Sequence, residues 1–159
     1  AGARLWWQSP SQPREIVPAG QLLPTAGLPT VTVPTAAGRG ADSAYQITDG
    51  GVQAEYFANT SLAGSPVLTR IEGGINAFWG TGSPAPGVPA DNFSVRYTGF
   101  VLPKFTEDYV FTAVADDRVR LWVNDQLVLN RPFYTPDQTD STPVRLTAGV
   151  PARVRMEVE

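Results

Sequence analysis

The residues from Val119 to Leu129 alternate, and that alternation leaves little choice of backbone. Val119, Leu121 and Val123 fall on one face of an extended segment and Arg120 and Trp122 on the other, so the segment reads as a half-buried strand. Asn124-Asp125 supplies a turn, and Gln126 to Leu129 returns as the second arm of a hairpin. Immediately ahead of the first arm stand Asp116 and Asp117. Two carboxylates at a strand end are oxygen ligands suited to a hard cation such as calcium, whose charge would offset their mutual repulsion. The same pair also reads as a solvated turn, since paired aspartates are common in loops.

The same period recurs at the end of the chain, where Ala152, Val154, Met156 and Val158 alternate with Arg153, Arg155, Glu157 and Glu159. One face of that strand is apolar and the other charged. Fifteen glycines and fifteen prolines punctuate such runs, and no helical period persists long enough to compete. The fold class is therefore all-β, an antiparallel β-sandwich or barrel. A length of 159 residues suffices for one core and an extension.

What the chain lacks narrows its chemistry. It has no cysteine and no histidine, which removes thiol catalysis, Ser-His triads, ordinary zinc sites and imidazole bases. A glycosidase would need two carboxylates facing each other across a cleft, roughly 5 to 9 Å apart, whereas neighbours in an extended chain point to opposite faces. The chain is not expected to be an enzyme. A net charge of -3 with scattered arginines gives no basic stripe for nucleic acid or an anionic membrane surface, and no transmembrane span is present.

Several motifs occur in an order that resembles a known family. They are Gly-Val-Gln-Ala-Glu-Tyr-Phe at 51 to 57, Phe78-Trp79-Gly80-Thr81-Gly82-Ser83-Pro84, and Asp91-Asn92-Phe93-Ser94-Val95-Arg96-Tyr97-Thr98-Gly99-Phe100. Asp116-Asp117, the Arg-Leu-Trp-Val strand, Leu146-Thr147-Ala148-Gly149 and Val154-Arg155-Met156-Glu157 continue the series. Residues 51 to 159 thereby resemble the anthrax protective antigen N-terminal lectin-like family, the PA-fourteen domain. The resemblance implies a β-sandwich or barrel, a non-catalytic extracellular or cell-surface role, and in many members calcium-dependent binding of carbohydrate. It also implies that Asp116 and Asp117 are the metal and carbohydrate ligands, joined by a cis peptide. Arg118 departs from the small residue more usual after the pair, and Asn130-Arg131-Pro132-Phe133 replaces a more acidic stretch that carries Trp.

The order of the parts is a second departure. Ala3 to Pro18, with Gln21-Leu22-Leu23-Pro24, looks like the closing segment of a family member, yet stands first. The expected division is a closing or donor-strand segment at 1–24, a Pro/Thr-rich linker at 25–49, and a lectin-like sandwich at 50–159 that lacks its last strand. Leu5 and Trp7 would enter the core, with Leu5, Trp6 and Trp7 forming the donor-strand interface. A linker of this length reaches roughly 80 Å when extended, enough to close its own domain or to pass to a neighbouring copy. Exchange between copies would build a fibre or a ring, and a piece cut from a tandem array would also be filament-like. Two roles follow: a structural subunit or repeat joined by strand donation to copies of itself, or a calcium-dependent glycan-binding module of an adhesin or carbohydrate-active enzyme. Trp79 reads as core, Trp122 must be covered by another element or a partner, and Phe133 and Tyr134 are candidates for an exposed contact, Tyr134 with a sugar.

Overall fold

A computed structural model describes residues 1–24, 50–133 and 137–159. The proposed linker at 25–49 and the candidate contact Tyr134 therefore lie outside the described residues.

The segment 1–24 contributes β1 (Gly2–Gln8), β2 (Glu15–Ile16) and β3 (Leu22–Leu23). The remainder supplies β4 (Val52–Phe57), β5 (Leu68–Glu72), β6 (Asn76–Phe78), β7 (Ser94–Val101), β8 (Glu107–Ala115) and β9 (Val119–Val123). The chain closes with β10 (Gln126–Arg131), β11 (Thr139–Asp140), β12 (Val144–Leu146) and β13 (Ala152–Val158). All the strand pairings described are antiparallel. The strands form two sheets, one ordered β11-β8-β1-β2 with β12 on β8 and β6 on β1, the other β10-β9-β13-β7-β4-β5 with β3 on β7. Among the described residues no helix is long and apolar enough to cross a membrane.

The segment 1–24 is built into both sheets of its own chain. Ala3 to Gln8 pair with Ala115 to Val110 of β8 on one side of β1, and Gly2 to Arg4 and Trp6-Trp7 pair with β6 and β2 on the other. Alternation then decides which side chains are buried. Ala3, Leu5 and Trp7 point inward and are at most 1% exposed, and Trp7 meets Tyr109 with ring centroids 5.2 Å apart. Burying Leu5 and Trp7 contributes about 2 to 3 kcal/mol each by the usual area coefficient. Trp6 faces the other way, under the Arg14 guanidinium at 5.3 Å. β3 adds to the second sheet, with Leu23 opposite Phe100. A Cβ at Gly99 would approach the Leu23 carbonyl oxygen to 2.7 Å, so glycine is what lets the two strands meet there.

The second sheet explains the charged faces of β9 and β13. Arg120 lies opposite Glu157, Glu157 opposite Arg96, and Arg96 opposite Glu55, a row of alternating sign across four strands. Glu157 Oε2 is 3.1 Å from Arg120 and its Oε1 is 3.1 Å from Arg96 Nε. That is how a carboxylate tolerates 7% exposure. Trp122 stands between Arg155 and Arg120, whose guanidinium carbons lie 4.1 and 5.5 Å from its ring centroid. The cover expected over Trp122 is thus supplied within the chain by arginine.

Candidate functional site

β8 enters the core through Ala113 and Ala115, and β9 re-enters it at Val119. Between them Asp116, Asp117 and Arg118 are exposed. The peptide bonds described are all trans, so the cis bond implied for Asp116-Asp117 is not formed; Asp117 instead adopts a φ of 115°. The loop is hung on three other parts of the chain. Asp116 N–H donates to Gly2 O at 3.3 Å, and Arg118 and Glu159 exchange backbone hydrogen bonds of 3.1 Å in both directions. From behind, the Arg131 guanidinium donates to the carbonyl oxygens of Ala115 and Asp117, and at 2.9 Å to that of Asp137.

Asp116 and Asp117 line a cleft of ≈ 340 Å³ together with Trp79, Asn92 and Phe93. That size is near the lower end for small-molecule sites, roughly 300 to 1,000 Å³. Trp79 is half-buried: its ring meets Tyr56 and Phe93 edge-on at 6.2 and 5.3 Å while still lining the cleft. It therefore serves the core and the cleft together, where the sequence indicated core alone. Behind Trp79, the Tyr56 hydroxyl donates to Glu72 Oε1 at 2.5 Å, and its pKa is pushed up to about 12, chiefly by burial and then by Glu72. A neighbouring hollow shares Thr60, Asp117 and Glu159 with the cleft and carries Phe133, 76% exposed, at its rim. Phe133 is thus exposed, as a contact residue has to be.

Calcium takes roughly six to eight oxygen ligands. Among the described residues no group of three or more His, Cys, Asp or Glu side chains could hold a metal ion. Two further carboxylates line the cleft: Glu159, engaged by Arg118 at 3.0 Å and by Arg120, and Asp91, which forms no group of three with the pair. The carbonyls of Ala115 and Asp117 turn inward to Arg131. As arranged here, the donors do not fit calcium.

The PA14 domain profile matches residues 49–157. The chain belongs to the PA14 domain family. As a PA14 domain it is a non-catalytic module, from a family whose members can bind calcium. It is similar to the anti-sigma-I factor RsgI3 of Acetivibrio thermocellus, 32% identical over 159 residues, which are 99% of this chain and 22% of that protein. The anthrax protective antigen of Bacillus anthracis is 25% identical over 112 residues, 69% of this chain and 14% of that protein. The solved anti-sigma factor domain-containing protein from Clostridium clariflavum is 31% identical, with a TM-score of 0.60, covering 97% of this chain and 49% of that one. The PA14 chain thus spans less than a quarter of these curated relatives. The RsgI3 match runs through the N-terminal segment as well as the matched domain, so the two occur together there.

Asp116 and Asp117 lie in the loop between β8 and β9, and Leu5, Trp6 and Trp7 lie in β1, with Leu5 and Trp7 in the core. Asn92, Thr60 and Glu159 were missed as cleft residues. The only signal for Asn92 was its residue type, since Asn tolerates the left-handed φ of 59° that it takes just ahead of β7.

Proposed function

We propose that this PA14 domain is an extracellular recognition module that binds carbohydrate in the cleft between Asp116-Asp117 and Trp79. The observation that carries the reading is the juxtaposition itself: two exposed aspartates and a half-buried indole lining one cleft of ≈ 340 Å³. Carboxylates accept hydrogen bonds from sugar hydroxyls, and an aromatic face suits the apolar face of a sugar ring. Phe133, exposed beside Asp117, extends the apolar surface toward a second ring. The similarity to RsgI3 supports placement in a larger protein outside the cell. Glycan-array binding by the wild-type domain, lost in both Asp116→Asn and Trp79→Ala, is the expected result. Binding that survives both changes would place recognition elsewhere.

Strand donation between copies is a second reading. It is favoured by β1, an inner strand of its sheet supplied by a segment that 25 intervening residues separate from the rest of the domain. Size-exclusion chromatography with light scattering after refolding tests it. A concentration-dependent ladder of masses is expected if β1 passes between copies, and a single monomeric peak would remove the fibre.

A further inference from the structure

The joint between β8 and β9 does not set its own shape. A φ of 115° at Asp117 is unfavourable for a residue with a Cβ, by about 1 to 2 kcal/mol. The bonds that hold it come from β1, from Glu159 and above all from Arg131, which is 6% exposed. A guanidinium presents its donors in a planar fork. Here Nη2 donates to the carbonyls of Ala115 and, at 3.4 Å, Asp117, on either side of Asp116, while Nη1 holds the Asp137 carbonyl beyond β10 at 2.9 Å.

We propose that Arg131 is the internal cation of this cleft, holding the Asp116-Asp117 loop in its binding shape so that recognition there requires no divalent metal. A metal ion at paired carboxylates does two things: it gathers loop oxygens and it offsets like charges. Arg131 gathers the carbonyl oxygens of residues 115 and 117, drawing them inward and away from the cleft. Its charge, buried against the carbonyls that flank Asp116, is screened less than a surface charge and offsets part of the repulsion between the two carboxylates. Both carboxylate side chains stay exposed; Asp116 Oδ2 has the Ala1 amine 3.3 Å away, and Asp117 is left to meet hydroxyl donors. Lysine would supply the charge without the fork, so it would restore only part of the effect.

The proposal rests on the cleft being a recognition site, but its readouts need no ligand. The first is thermal unfolding of the wild-type protein with excess calcium and with excess chelator. Transition temperatures within about 1 °C of each other are expected, because a ligand that binds only the folded state must raise them. A saturable rise with calcium that Asp116→Asn removes would overturn the proposal. The second readout is amide hydrogen exchange in Arg131→Gln, where residues 115–118 are expected to exchange at least about tenfold faster relative to the β9-β13 ladder. Should that variant fail to fold, Arg131→Lys gives the same comparison with a smaller acceleration. An unchanged loop in whichever variant folds would mean that Arg131 only packs, and would sink the idea. If no glycan binds, the recognition reading falls and these results stand; if calcium stabilises the protein, the reverse holds.

Discussion

β9 is entered and left through two short acidic connections, and they are built on opposite principles. At its far end Asn124 and Asp125 take φ values of 48° and 63°, the pair of left-handed residues that a two-residue hairpin needs to match strand twist. Asn and Asp tolerate that region by themselves, and Arg153 of β13 assists, its N–H donating to Asn124 Oδ1 at 3.0 Å and its carbonyl accepting from Asn124 N–H at 2.8 Å. At the near end Asp117, with a φ of 115°, is held by residues from β1, β10 and the end of β13. One connection is written in its own two letters. The other is written in residues as distant in sequence as Gly2 and Glu159, and its shape is therefore open to tuning by remote substitution.

The largest effect should come from breaking the remote connection. Arg131→Gln removes charged hydrogen bonds from buried carbonyls and is expected to lower the unfolding free energy by about 3 kcal/mol in urea titrations. Asn124→Ala, which breaks the local connection, should cost about 1 kcal/mol. Equal losses would erase the distinction. Asp117→Gly sharpens it: relieving the backbone should leave stability unchanged or raise it by up to about 1 kcal/mol while glycan binding is lost. The smallest effect is expected from Arg118→Ala, which removes an exposed ion pair with Glu159 and should shift stability by no more than about 0.5 kcal/mol. A loss several times larger would mean that surface charge, not Arg131, shapes the loop.

The two connections also divide what local sequence encodes from what it leaves to the fold. The strands are legible in the residues because burial repeats every second position: Val119, Leu121 and Val123 in β9, Ala152, Val154 and Met156 in β13, and Leu5 and Trp7 in β1 all point inward. The hairpin at Asn124-Asp125 is legible because its conformation belongs to those two residue types. The composition of the cleft is only half legible. Asp116 and Asp117 announce themselves, but the trans peptide between them, the inward turn of the Ala115 and Asp117 carbonyls, and the approach of Glu159 depend on contacts across the sandwich that no local pattern encodes. Arg131 stands out in the sequence only as a departure from the family. That a guanidinium beneath the loop would take up its carbonyls follows from burial at 6% exposure, which periodicity alone does not reveal at a strand end.

β1 has one more consequence. It is bonded along both edges and buries Leu5 and Trp7 in the same core as β7, β8 and β13, so the described residues on either side of 25–49 form one folding unit whether or not they are joined. Excision of residues 25–49 should leave a split protein: the larger fragment would complete its fold by capturing the smaller one, and its midpoint of denaturation would rise with peptide concentration. A labelled copy of residues 1–24 would then exchange into the intact domain only as fast as the first sheet opens, turning a strand into a clock for the opening of the sandwich.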